Sequence, residues 1–97
     1  MATIQNISER FLLRVGKNIR DRRREKGLSM EKLGWEIGLT RMQVNRIEKG
    51  YNITMVTLLK ISLALGISTS DLVKFDYKTK EEDLEWLVNN NKANKKK

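Results

Sequence analysis

The sequence predicts an all-α protein, a compact bundle of five helices with an extra C-terminal helix. Its 97 residues include no proline and no cysteine, and Leu and Ile recur at helical spacings. One start pattern also occurs four times: an apolar residue, then Ser or Thr, then another apolar residue four positions later. This pattern is typical of an N-cap with a hydrophobic staple. The four predicted caps are Ser29, Thr40, Thr54 and Ser68.

The first helix is predicted over 8–26, after a loose arm formed by residues 1–7. Its apolar stripe consists of Phe11, Leu12, Val15 and Ile19. Gly27 follows at the usual place for a left-handed C-cap. A chain of 97 residues has length for one modest core. We therefore expect one folded domain over 1–77, followed by a C-terminal helix and a basic, disordered tail over 78–97.

The second and third helices are predicted over 30–37 and 41–49. Gly34 is small, which suits a close approach of the third helix. Gln43 adds a capping box to the third helix, because it stands three residues after the cap. Two short helices held at a steep angle by an apolar turn are how a protein presents one helix to the DNA major groove. The unit over 29–49 therefore predicts DNA binding.

The fourth helix is expected to be the central, buried one, because apolar residues surround it. These residues are Leu58, Leu59, Ile61, Leu63 and Leu65. The fifth helix is predicted to begin after Ser68, with Asp71 completing a capping box, and to end near Phe75. A sixth helix is predicted after Thr79. Its apolar face consists of Leu84, Leu87 and Val88.

Positive charge is concentrated where the two-helix unit lies. The net charge is +8, and residues 1–50 hold twelve Lys or Arg against six Asp or Glu. Residues 51–91 hold four against six, and the last six residues add four lysines. This asymmetry predicts a polyanionic partner, namely nucleic acid. The alternative is a basic surface that only aids solubility.

Several function classes are disfavoured by what the sequence lacks. Without His or Cys there is no histidine base and no Cys/His zinc site, so we expect no metal and no cofactor. No apolar run approaches the ~20 residues of a membrane span, and the start has no secretory pattern. We expect no membrane partner and a cytoplasmic location. The acidic run at 81–85 is more typical of a solvated helix start than of an acid–base pair, so we do not expect an enzyme.

Five segments resemble the lambda-repressor/Cro-like helix-turn-helix family, often labelled XRE-type regulators. They are IRDRRREKGLS (19–29), EKLGWEIGLT (31–40), VNRIEKG (44–50), TLLKISLALGIS (57–68) and DLV (71–73). The resemblance implies a five-helix domain that binds double-stranded DNA as a homodimer on an inverted-repeat operator. By its size and by Arg41, the chain is also similar to the stand-alone restriction–modification controller proteins.

The chain departs from the family pattern in three places. Met30 stands where most members carry a Gln that contacts the DNA backbone. Gly34 replaces the usual Ala, at a cost of roughly 1 kcal/mol in helix propensity. The loop after Gly50 is about one residue shorter than is common, and Ile53 stands where proline is usual.

The outward side of the third helix carries the side chains that we expect to read bases. Arg can bridge guanine, Asn or Gln can bridge adenine, and Met can contact a thymine methyl group. The resemblance maps the base-reading positions onto Arg41, Met42 and Arg46, with Gln43 and Asn45 as helpers. Phosphate contacts are expected at helix N-termini and in the loop after the third helix. These candidates are Ser29, Met30, Thr40, Lys49, Tyr51, Asn52 and Thr54. Only some of Arg20, Arg22 and Arg24 are expected to face DNA.

Two further groups of residues have structural roles in these expectations. The resemblance implies an ion pair between Arg23 and Glu48 that joins the first helix to the end of the third. Trp35 and Trp86 are expected to pack rather than to stack on single-stranded bases. Trp35 lies off the stripe formed by Leu33 and Ile37, where it either covers a neighbouring helix or lies half exposed. Apolar residues in excess of one small core predict a dimer interface. Its candidates are Leu72, Val73, Phe75, Tyr77, Leu84, Trp86 and Leu87. The alternative is that the sixth helix folds back on its own core.

The leading functional prediction is a dimeric, sequence-specific transcriptional regulator such as a repressor. The alternative is an antitoxin or another protein-interaction module whose segment 78–97 binds a protein partner. The state of that segment distinguishes them: folding only on a partner favours the alternative, and formation of the dimer disfavours it.

Overall fold

The computed structural model describes residues 6–75, 83–85 and 88–89, and all the regular structure among them is helical. The five bounded helices are α1 (Ile7–Glu25), α2 (Met30–Ile37), α3 (Arg41–Glu48), α4 (Met55–Leu65) and α5 (Thr69–Leu72). Residues 83–85 and 88–89 are also helical and belong to the sixth helix. The predicted all-α fold class is therefore confirmed. Among these described helices, none has the length and apolar character needed to cross a membrane.

Side-chain caps set most of the helix starts. The hydroxyls of Ser29, Thr40 and Thr54 each accept a hydrogen bond from an amide of the first turn. Asn6 does the same for α1 and forms a capping box with Glu9, so α1 begins slightly before its predicted start. Such caps satisfy amides that have no partner within the helix.

The capping box predicted for the fifth helix is wrong. Ser68 is the N-cap residue of α5, but its side chain makes no capping hydrogen bond. Its hydroxyl lies 2.8 Å from the hydroxyl of Ser70 instead. The helix is a single turn that ends at Leu72, before the predicted end near Phe75.

One apolar core joins the five helices. It consists of Val15, Ile19, Leu33, Ile37, Val44, Ile47, Leu58, Ile61, Leu65 and Leu72. The prediction that the fourth helix is buried all round is wrong, because α1, α2 and α5 pack against only part of it. Leu58, Ile61 and Leu65 are buried, whereas Leu59 and Leu63 are exposed.

Two glycines permit close approaches that position α3. A Cβ atom on Gly16 would lie 2.6 Å from the carbonyl oxygen of Ile47 and 2.7 Å from that of Glu48. A Cβ atom on Gly34 would collide with the carbonyl oxygen of Leu39, in the turn before α3. The helix propensity lost at Gly34 therefore coincides with a tight contact between α2 and that turn.

The C-terminal segment contacts α1 at a defined point. Both carboxylate oxygens of Asp83 accept hydrogen bonds from Arg10 Nη2 at 2.9 Å, and Asp83 is buried. The ring of Phe75 lies 5.3 Å from that of Phe11, and the guanidinium of Arg14 lies over it. Asp83 thus contacts α1 of its own chain, whereas Leu84 and Val88 of the predicted apolar face are exposed and do not pack on the core.

Trp35 differs from its prediction. It neither covers a neighbouring helix nor lies half exposed, because 81% of it is exposed on the outer side of α2. The buried side of α2 is formed by Leu33, Gly34 and Ile37, and the indole lies outside it. Trp86 falls outside the described residues.

Candidate nucleic-acid interface

α3 turns its apolar side inward and its polar side outward. Val44 and Ile47 are buried in the core. The outward residues Arg41, Met42, Gln43 and Arg46 are exposed, and Asn45 is half-buried. The side chains predicted to read bases therefore share one helix, and four of the five are exposed to solvent.

Arg23 and Glu48 form a buried ion pair that fixes the end of α3. Arg23 Nε donates to Glu48 Oε2 at 2.6 Å, and Arg23 Nη2 donates to Glu48 Oε1 at 3.0 Å. The third guanidinium nitrogen, Nη1, donates to the carbonyl oxygen of Leu28 at 2.8 Å. One side chain thus links α1 to α3 and to the residue before the α2 cap.

The position of this carboxylate makes its partner important. Glu48 is the last residue of α3, where the helix dipole disfavours a negative charge. A charge buried there without a partner would be strongly destabilising. Arg23 compensates the charge and also removes a potential source of repulsion toward phosphate.

Gln43 has a second role that limits how it can read DNA. Its side-chain Oε1 accepts a hydrogen bond from the backbone amide of Thr40 at 2.8 Å, and its own backbone amide donates to Thr40 Oγ1 at 3.1 Å. Bidentate adenine recognition needs both the oxygen and the nitrogen of the side-chain amide. The capping box fixes this oxygen at the start of α3, so adenine recognition by Gln43 must use the second lone pair of Oε1 together with the NH₂ group, or break the capping bond.

The phosphate candidates lie in two kinds of place. Ser29, Thr40 and Thr54 are exposed caps at the starts of α2, α3 and α4. The second group lies at the end of α3 and is exposed. It consists of the C-cap residue Lys49 and of Tyr51 and Asn52 in the loop that follows. Helix starts favour anions because their amides are unpaired and the helix dipole is positive there.

Met30 does not fit its predicted role as a phosphate ligand through its side chain. That side chain is half-buried and packs against the core. A thioether also has no donor for a phosphate oxygen. Phosphate binding by the backbone amide of Met30, at the start of α2, stays a prediction.

The basic residues of α1 have different surroundings. Arg24 is exposed, whereas Arg20 and Arg22 are half-buried, and the buried Nε of Arg20 makes no hydrogen bond. Elsewhere on α1, Lys17 donates to Asp21 at 2.8 Å, and this hydrogen bond lowers the pKa of the Asp21 carboxyl group.

The residues predicted for a dimer interface differ in how far each is exposed to solvent. Leu72 is fully buried in the core, so it has no surface for a second copy, and this part of the prediction is wrong. Val73 and Phe75 are half-buried, and Leu84 is exposed. The remaining candidates, Tyr77, Trp86 and Leu87, lie outside the described residues.

Sequence reasoning missed the contribution of Gly16, which lets α1 approach the end of α3 and so helps to position the candidate DNA-binding helix. A glycine inside a helix of 19 residues lowers helix stability by roughly 1 kcal/mol relative to alanine. It lies seven residues before Arg23, on the same side of α1. That cost and that spacing were the available signals for a close contact between α1 and α3.

Comparisons with known proteins agree with this geometry. A helix-turn-helix family model matches residues 19–72. The chain is similar to y4dJ of Sinorhizobium fredii, an uncharacterized HTH-type transcriptional regulator. The two are 38% identical over 60 residues, which cover 61% of this chain and 78% of that protein.

Solved structures give the same result. The restriction–modification controller protein C.AhdI from Aeromonas hydrophila is 39% identical with a TM-score of 0.61, covering 63% of this chain and 94% of that one. The hypothetical transcription factor NHTF from Neisseria is 28% identical with a TM-score of 0.63, covering 75% and 83%. The N-terminal DNA-binding domain of SinR from Bacillus subtilis is 28% identical with a TM-score of 0.54, covering 67% and 97%.

Proposed function

We propose that this chain, which belongs to the helix-turn-helix family of transcriptional regulators, binds double-stranded DNA sequence-specifically. It binds as a homodimer on a palindromic operator. In this proposal α3 enters the major groove. Residues 1–77 form the DNA-binding domain, and residues 78–97 are a C-terminal extension. The family and fold are those of DNA-binding regulators. We accordingly propose a cytoplasmic protein with no enzymatic activity.

The observation that carries the proposal is the contrast between the two sides of α3. Its inner side is fixed by Val44, Ile47 and the buried pair of Glu48 with Arg23. Its outer side exposes Arg41 and Arg46, whose guanidinium groups can each bridge the N7 and O6 atoms of guanine. A rigidly held helix with free bidentate donors has the properties that base readout requires.

Charge and helix starts supply the part of the affinity that does not depend on sequence. The net charge of +6 on residues 1–50 attracts a duplex. Three capped helix starts, with Lys49 and Asn52 exposed, provide donors for the phosphates that flank the groove.

The size of the reading surface supports a dimer. One short helix contacts only a few base pairs, so a second copy is needed for a longer, more specific site. Two copies related by a two-fold axis would place their α3 helices in successive major grooves, about 34 Å apart.

The experiment that tests this function is selection of bound duplexes from a random pool, followed by a salt titration of affinity. We expect a palindromic consensus with half-sites about one helical turn apart. We also expect log affinity to fall steeply with log salt concentration, as phosphate contacts release counterions. Equal affinity for all sequences would overturn the proposal.

A second candidate function is an antitoxin or another protein-interaction module that uses segment 78–97. The observation that favours it is the exposure of two large apolar side chains of this segment, Leu84 and Val88, which are 59% and 50% exposed. Amide hydrogen exchange in the isolated protein tests it. Fast exchange at residues 83–89 would favour folding on a partner. Protection comparable to that of α1 would favour the contact between Arg10 and Asp83 and a regulator without such a partner.

A further inference from the structure

α4 carries an apolar surface that the core does not use. We define the α4 outer face as Met55, Val56, Leu59 and Leu63, which are 79%, 60%, 49% and 70% exposed. Their spacing places all four on one side of the helix, opposite Leu58, Ile61 and Leu65. A small monomer gains nothing from exposing four large apolar side chains together, and contiguous patches of this kind mark interaction sites.

The α4 outer face has little net charge, unlike the rest of the DNA-binding half. Lys60 is the single charged residue of α4. Beside it, Glu36 lines the same groove, together with Ile37 and Leu63. Lys26 also lies there, because its Nζ donates to the carbonyl oxygen of Ala64 in that groove at 2.6 Å. The border therefore holds two lysines and one glutamate, and this single net positive charge lies beside the four apolar side chains. A second copy of a chain with net charge +8 can therefore meet this face with less repulsion than two strongly basic surfaces would suffer.

The apolar surface continues beyond α4. Met55 and Leu58 also line a groove whose other walls come from α1, from the loop before α4 and from α5, including Phe11 and the C-cap residue Val73. Stable interfaces bury about 800 Å² on each partner. The α4 outer face with the adjoining groove gives a larger contact area than the four side chains alone, and Val73 was among the predicted interface residues.

We propose that the α4 outer face is the surface through which two copies of this chain associate. This inference rests on the dimer in the proposed function and assigns its contact surface. In a two-fold interface the same patch is used by both copies. Leu59 lies at the middle of the face, so it meets its own counterpart whether the two α4 helices run parallel or antiparallel.

The first test compares two glutamate substitutions by sedimentation equilibrium of the full chain. Leu59→Glu places a charge at the centre of the interface and is expected to weaken dimerisation by at least about thirtyfold, as for hot-spot residues. Trp35→Glu is the matched control, because Trp35 is even more exposed but lies on α2, outside the face. It is expected to leave dimerisation unchanged. Circular dichroism checks that both variants are folded.

The second test avoids introducing a charged side chain, so it does not require the folded protein to accommodate one. The chain has no cysteine, so Leu59→Cys introduces the single thiol of the protein. Under mild oxidation we expect a disulfide-linked dimer, because the two thiols meet at the two-fold axis. The control Trp35→Cys is expected to remain unlinked under the same conditions.

The outcomes separate this inference from the proposed function. A wild-type dimer that is unaffected by Leu59→Glu and not linked by Leu59→Cys overturns the α4 assignment, while a palindromic selection result still supports the regulator. A dimer that dissociates in Leu59→Glu, in a protein without sequence preference, keeps the interface and overturns the regulator. A wild-type protein that is monomeric at all concentrations, and on DNA, overturns the inference and indicates a different occupant of the face.

Discussion

The outward sides of α3 and α4 are alike in position and opposite in chemistry. Each helix is held through one buried side and exposes the other. α3 exposes Arg41, Gln43 and Arg46, whereas α4 exposes Met55, Leu59 and Leu63. Packing determines which side of a helix is free, and the exposed side chains determine which partner it fits. We assign the polar face to DNA and the apolar face to a second copy.

The two helices also differ in what holds them. α4 is fixed by apolar contacts and by the hydroxyl of Ser62, which lies 2.9 Å from that of Thr69. α3 depends in addition on the buried pair of Arg23 with Glu48. Loss of that pair should therefore affect the DNA-binding face more than the α4 outer face.

Glu48→Ala is expected to have the largest effect. It leaves the Arg23 guanidinium buried without its carboxylate, which should lower the free energy of unfolding by about 3–5 kcal/mol. For a domain of this size the melting temperature then falls by more than about 10 °C. DNA affinity should fall too, measured below the melting temperature, because the end of α3 is no longer fixed.

The matched control is Glu31→Ala, an exposed acid on α2. It is expected to lower stability by no more than about 1 kcal/mol, because it loses only the interaction of an exposed acid with the start of the helix. Unchanged melting temperature and DNA affinity in Glu48→Ala would contradict the importance of the ion pair.

Gly16→Ala is expected to have the next largest effect. The added methyl group meets the carbonyl oxygens of Ile47 and Glu48, so α1 and α3 must separate. We expect a loss of about 1–3 kcal/mol by overpacking, despite the better helix propensity of alanine. Thermal unfolding measures it. Lys17→Ala, at the exposed neighbouring position, serves as the control and should change stability by less than about 1 kcal/mol. Equal stability of the two variants would contradict the close contact.

The sequence predicted those parts of the fold that short segments determine. The bounds of α2 were predicted correctly because Ser29 caps its start and Gly38 ends it within a few residues. The start of α3 follows in the same way from its cap at Thr40. Caps depend on a side chain and an amide two or three positions away, so the sequence contains the whole interaction.

Features that depend on packing between helices were missed. Apolar residues occur on all sides of α4, so their pattern does not indicate which side the other helices cover. The α4 outer face could therefore not be predicted. The exposure of Trp35 was missed for the same reason. The pair of Arg10 with Asp83 joins residues 73 positions apart, and no local pattern indicates such a partner. Base-reading assignments for α3 stay predictions.

The most direct test of the central claim is a ratio of two affinities, measured in wild type and in Arg46→Ala. The two duplexes are the selected site and the same site with each half shuffled. We expect Arg46→Ala to lower the ratio by at least about thirtyfold, with no change in melting temperature, because the homodimer loses one bidentate base contact of about 1–3 kcal/mol in each of its two half-sites. Lys49→Ala, as control, should weaken both complexes equally and leave the ratio intact. An unchanged ratio in Arg46→Ala would contradict base reading by Arg46 on the outward side of α3.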